Sequence, residues 1–203
     1  MQGDIFVASY RVINFSQDCF YYNIMKRQVL SAKMIYNMDK YSRLNSQQGF
    51  GEGMDDMSEK PFGIDVSRYQ GQVDWDVIAS HHPKILFAGI RASINTGYTD
   101  NWFTRNWEEA FRVGVARTAY HIFFPGTSAE QQVSHFLRVV GDEYGELPLT
   151  LDMELDHGIH YQRIAERVLQ CSTLIESRTG KKPLLYSKTA WVNDHIIGNG
   201  APP

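Results

Sequence analysis

Five short apolar segments recur between residues 62 and 188: FGIDVSRY, KILFAGIRAS, ARTAYHIFFP, LPLTLDMEL and KKPLLYSK. Each is followed by a stretch with helical signals. This alternation constrains the fold more than any other feature, because strands that alternate with helices must pair in parallel through right-handed crossovers. The strands read as near-continuous apolar runs, as expected when both faces of a sheet are covered. Asp74 is placed to cap the helix VDWDVIASHH. Asp100 opens NWFTRNWEEAFRV, and Gly114 marks its stop. Ser128 and Gln131 have capping-box spacing for AEQQVSHFLRVV, which ends at Gly141. Tyr161, Ile164, Ala165, Val168, Leu169 and Ile175 fall at helical spacing before Gly180, and TAWVNDHII is a last short helix. Five such units suit an open doubly wound sheet or most of a barrel. No G-x-G-x-x-G or P-loop follows a strand, which disfavours nucleotide-binding folds. The expected class is therefore α/β, an irregular TIM-like β/α barrel.

The composition divides the chain. Residues 1–60 contain no Pro, His or Trp but six of the seven methionines, and the remainder holds all seven Pro, seven His and four Trp. The seam is QQGFGEGMDDMSEK, a Gly- and acid-rich stretch that reads as a linker. We expect residues 1–60 to be a poorly ordered extension or mis-assigned upstream sequence, with translation starting at Met54 or Met57. We expect residues 61–203 to form the folded α/β unit. The start MQGDIFVASYRVINF has no basic n-region and no clean apolar core, so it does not read as a secretory signal. A formal charge of −3 and a pI near 6.1 offer no footprint for nucleic acid. No apolar run approaches the ~20 residues of a bilayer span. Two cysteines, Cys19 and Cys171, are too few for a disulfide framework or a zinc site.

In a parallel α/β barrel the chemistry sits at the C-terminal strand ends. Asp65 falls there on the first strand, Asp152 and Glu154 on the fourth. The last two are two residues apart, so a strand projects both from one face, roughly 7 Å apart at the backbone. An acid and its partner flanking one glycosidic bond need about that spacing. Crowded carboxylates raise one another's proton affinity, so one can stay protonated to donate while another stays charged. The plainer reading makes LDMELDHG a strand end entering a solvated acidic loop, and Asp156 is assigned to that loop.

The ordered set GIDVSRYQGQVDW, FAGIRAS…GYTD, TAYHIFFP, LPLTLDMEL and GKKPLLYS resembles the family 25 glycoside hydrolases, the Chalaropsis-type lysozymes common as phage endolysins and bacterial autolysins. The resemblance runs from about Phe62 to Trp191. It implies an irregular β/α barrel that cleaves the β-1,4 bond between N-acetylmuramic acid and N-acetylglucosamine in peptidoglycan, with water and no cofactor or metal. Matched position by position, it implies Glu154 as general acid, Asp152 as the carboxylate assisting the substrate N-acetyl group or the developing positive charge, and Asp65 as the third acidic position. It also implies Tyr120 and Tyr186 as aromatic residues lining the sugar groove. Arg91 keeps a positive charge where the family carries Lys in a Lys-Ala-Thr-Glu-Gly-like string. Here that string reads RASINTG, without the acid. The family continues through further strands beyond GNGAPP, so the expected barrel lacks its last strands.

Other candidates carry plainer readings. His157 and His160 could be drawn as a metal site but read better as a loop, and His81-His82 as a helix end. His121 alternates away from Tyr120 and is expected to face the helical layer. Trp102, Trp107 and Phe111 lie at helical spacing and read as core, and Cys171 as a buried helix residue. The expected partner is the peptidoglycan glycan strand, met by a monomer that reaches the wall through a holin or lysis of the producer. The rival expectation is a non-catalytic wall-binding barrel.

Overall fold

The computed structural model describes Arg11–Val12 and residues 62–197. Arg11–Val12 (β1) lies antiparallel along Phe62–Val66 (β2), with Arg11 opposite Asp65 and Val12 opposite Ile64. The rest of the segment expected to be a poorly ordered extension falls outside the described residues. From β2 the strands Ile85–Ile94 (β3), Ala116–Ile122 (β5), Thr150–Asp152 (β6) and Leu184–Tyr186 (β7) follow side by side in parallel, while Tyr98–Thr99 (β4) folds back antiparallel on β3. Between them run Trp75–Ala79 (α1), Phe103–Arg112 (α2), Ala129–Val140 (α3) and Tyr161–Thr179 (α4), and β7 leads into Thr189–Val192 (α5). A π-helical turn, Asn193–Ile197, completes the described chain. These are the five strand–helix units expected from the alternation, joined as in a β/α barrel.

The local signals act where they were read. Asp74 accepts hydrogen bonds from the backbone of Asp76 and Val77, and Ser128 from Gln131. Gly180 ends α4 in the left-handed conformation, φ 71°. The fourth strand is shorter than LPLTLDMEL, because ladder pairing begins only at Thr150, two residues after Pro148, which has no N–H to donate.

Residues paired across a parallel ladder share a face, so the registers sort the sheet into two surfaces. One carries Ile64, Val66, Ala88, Ile90, Ala119, His121, Leu151 and Leu185, all buried against the helices. There they meet Phe103, Trp107 and Ala110 of α2, Val133 and Phe136 of α3, and Ile164, Val168, Cys171 and Ile175 of α4. The other face carries Asp65, Arg91, Thr118, Tyr120, Thr150, Asp152 and Tyr186. The helices cover an apolar face and leave a polar one. Beside Asp65 on that polar face, the Phe87 ring lies across Gly63, where an added Cβ would come within 2.0 Å of the ring.

Candidate active site

The polar face gathers the predicted carboxylates around one phenol. Tyr120, on β5, hydrogen-bonds to Asp65 on β2 and lies within the electrostatic reach of Arg91 and Asp152. Arg91 is its direct ladder partner, and Asp152 pairs with Ile122, two residues further along β5. Burial, and then the negative charge of Asp65, pushes the Tyr120 hydroxyl well above its ordinary range. It therefore stays protonated and donates to Asp65 across neutral pH. Asp152 in turn pairs with Tyr186 on β7. Four of the six predicted site residues, Asp65, Tyr120, Asp152 and Tyr186, are half-buried on this surface, and Arg91 is buried beside them.

Glu154, the sixth, follows β6 by two residues. The chain between them stays tied to β7, since Met153 donates its N–H to Tyr186 O at 2.8 Å and accepts the Ser187 hydroxyl at its carbonyl. The Glu154 side chain is 24 % exposed, and its Oε1 lies 3.6 Å from the ammonium of Lys188. That oxygen is buried and accepts no hydrogen bond among the described residues. Beyond it, Asp156 holds the loop by an Oδ1 bond from Gly158 N and by His195 of the π-helical turn, 3.2 Å from Oδ2. The His195 ring stacks on Trp191, with centroids 4.8 Å apart.

Arg91 has a counter-ion that the sequence reading assigned only to a helix start. Its Nε donates to Asp100 Oδ2 at 2.7 Å, and both side chains are within 5 % of full burial. Asp100 also receives the backbone N–H groups of Arg68 and Trp102, so its carboxylate joins the ends of β2 and β3 to the start of α2. A bulge in β3 makes this possible. Arg91 and Ser93, two apart, pair with the adjacent residues Tyr120 and His121. Without the extra residue they would share a face. With it, Arg91 joins Tyr120 on the polar surface and Ser93 joins His121 on the helical one.

His121 faces the helices as expected. Its Nδ1 lies 2.8 Å from Ser93 Oγ and its Nε2 3.3 Å from Gln132 Oε1 on α3. The amide oxygen can only accept, so the histidine carries its proton on Nε2 and accepts from the serine at Nδ1. Burial pushes His121 down to about 4. His157 packs its ring, tilted by 30°, against Phe124 and His160 caps α4 at Gln162 N, so each has a structural role. Trp107 is buried and Trp102 half-buried, but Phe111 is 66 % exposed, which corrects its reading as core. It is exposed because it rests over the Arg117 guanidinium, 4.7 Å away, rather than on the sheet. Cys171 is buried in α4, where burial pushes its thiol up to about 12. It is no nucleophile at neutral pH. Lys188 was missed: its signal was a cation two residues past a strand-end tyrosine, which means nothing until the fold sets β7 beside β6.

The profile described as Glycosyl hydrolases family 25 matches residues 64–201. The chain belongs to this family. The protein YegX of Escherichia coli O6:H1 is 36 % identical over 139 residues, covering 67 % of this chain and 51 % of that protein. Lysozyme M1 of Streptomyces globisporus is 27 % identical over 163 residues, covering 72 % and 55 %. The chain thus spans about half the length of the curated relatives it matches. Among solved structures, a family 25 glycosyl hydrolase from Bacillus anthracis superposes with a TM-score of 0.64 at 24 % identity, covering 76 % of this chain and 72 % of its own. That likeness places the described strands and helices in the family 25 fold. The acidic surface lies at the C-terminal strand ends, where parallel barrels carry their chemistry.

Proposed function

We propose that residues 61–203 form a peptidoglycan hydrolase unit that cleaves the β-1,4 linkage between N-acetylmuramic acid and N-acetylglucosamine, acting at the cell wall as a monomer. The observation that carries this reading is the convergence of Asp65, Tyr120 and Asp152 on one polar face, with Glu154 just beyond on the same strand end. Glu154 protonates the leaving glycosidic oxygen. Its side chain is 24 % exposed at the strand end, with the Lys188 ammonium 3.6 Å from Oε1. Asp152 stabilises the oxazolinium or oxocarbenium-like species that forms as the bond breaks. Asp65 acts through Tyr120, orienting a phenol that stays protonated and meets the sugar. Tyr186 lines the groove with an aromatic face, and Arg91 supplies a fixed positive charge.

The reaction needs water and these side chains. Its test is release of muropeptides with new reducing ends from purified cell walls. Glu154→Gln keeps the shape and removes the proton donor, so turnover should fall at least about 10²-fold while wall binding persists. An active Glu154→Gln variant overturns the acid assignment. A wild-type chain that binds walls and releases no reducing ends would instead be a non-catalytic wall-binding barrel.

A further inference from the structure

Immediately after β2 the chain makes a 3-10 turn, Arg68–Gln70, locked by reciprocal hydrogen bonds between Ser67 and Gln70. The turn sits at the same strand end as Asp65 and presents Tyr69, which is 74 % exposed, the highest figure for any large hydrophobic side chain among the described residues. Two guanidinium groups share this ring. Arg68 lies 5.0 Å and Arg91 5.1 Å from its centroid, and both also approach Tyr98, at 5.3 and 6.0 Å. The Arg68 side chain is exposed and donates to Tyr69 Oη at 3.3 Å, pairing with no carboxylate among the described residues.

The charges do not balance. Asp100 neutralises one guanidinium, that of Arg91, whose Nη2 nonetheless stays buried with no hydrogen-bond partner among the described residues. The buried Tyr98 hydroxyl lies beside the Arg68 guanidinium. Two like charges about one pair of rings repel, and a buried unpaired donor is costly. The hydrogen bond from Arg68, then its charge and that of Arg91, hold the Tyr69 hydroxyl below its ordinary range, so positive charge dominates the spot.

We propose that Arg68, Tyr69 and Tyr98 form a subsite beside the acidic centre for a carboxylate-bearing unit of the glycan strand, with the sugar face on Tyr69 and the carboxylate on Arg68. This deepens the muramidase reading and rests on it. An exposed aromatic face suits the apolar face of a sugar ring, and a guanidinium suits a carboxylate. The carboxylate comes either from the stem peptide or from the free lactyl group of muramic acid.

The test compares wild type with Arg68→Gln and Arg68→Lys on intact sacculi and on sacculi stripped of stem peptides by an amidase, which leaves the lactyl carboxylate. Neutral N-acetylglucosamine oligomers serve as a third ligand in a binding titration. The Arg68→Gln variant is expected to raise KM about fivefold, the upper range for an exposed charge pair, with the effect falling on KM rather than kcat. Arg68→Lys should recover most of the loss, and added salt should raise the wild-type KM but not that of Arg68→Gln. A loss seen only on intact sacculi assigns the stem peptide, one that appears only after stripping assigns the freed lactyl group, and a loss on both means that Arg68 takes either carboxylate. Unchanged KM on both substrates overturns the subsite, as does an equal loss toward the neutral oligomers. If wild type releases no reducing ends the hydrolase reading fails separately. Co-sedimentation with intact sacculi then decides the subsite by whether salt-sensitive binding depends on Arg68.

Discussion

The Arg91–Asp100 pair carries more of the structure than its sequence positions imply. A buried ion pair adds little net stability over a well-packed apolar pair, but removing one partner strands the other charge. Asp100→Ala leaves the buried guanidinium of Arg91 without its counter-ion and strips the Arg68 and Trp102 N–H groups of their acceptor. Urea denaturation should show a loss of about 3–5 kcal/mol. A loss under 1 kcal/mol would mean that solvent reaches Arg91. At Gly63 the expectation is steric. A methyl group there meets the Phe87 ring at 2.0 Å, so Gly63→Ala must displace the ring beside Asp65 and should lower both stability and turnover.

Among the elements, β5 is fastened at its start by a side chain as well as by its ladder. At its start Arg117 is buried and forks onto Glu146 through Nε and Nη2, reaches Glu143 and the Trp107 carbonyl, and lies 4.5 Å from the Trp107 ring. One side chain thus joins β5, the middle of α2 and the 143–146 loop. Lysine has the charge but not the fork, so Arg117→Lys should cost about 2 kcal/mol or more, measured as a fall in the urea midpoint. At the start of α1 the Asp74 cap is a smaller device. Asp74→Ala should cost about 1 kcal/mol and leave hydrolysis intact, which separates helix stability from the site.

For the molecule as a whole, acid is the expected weakness. His121 titrates at about 4 in the fold against 6.5 for the free side chain, because burial disfavours its charged form. Between those values the unfolded chain binds a proton that the native chain does not. Stability is therefore full above pH 6.5 and falls as pH drops toward 4, by about 3 kcal/mol over the window. Glu146 acts further down. Burial works to raise it, but the hydrogen bonds and charge of Arg117 hold it below the ordinary carboxylate range, so its contribution is lost as pH falls through that depressed value. Thermal unfolding across pH 4–8 checks this, and a non-titrating His121→Asn should flatten the pH 4–6.5 limb. A limb unchanged in that variant would assign the acid sensitivity elsewhere.

The five strand–helix units, their caps and the positions of Asp65, Asp152 and Glu154 were legible in the sequence, because each depends on neighbours within about one turn or one strand. Periodicity reports which residues share a face, and Asp74, Ser128 and Gly180 act on the backbone beside them. What the linear chain did not disclose depends on register between distant segments. The bulge that sends Arg91 to one face and Ser93 to the other is set by pairing β3 with β5, not by any residue of RASINTG. The Asp100 counter-ion, the Lys188 ammonium near Glu154 and the guanidinium pair around Tyr69 all join segments from different strands. Local propensity determined the elements, whereas the strand pairing that buries one face decided which charges meet.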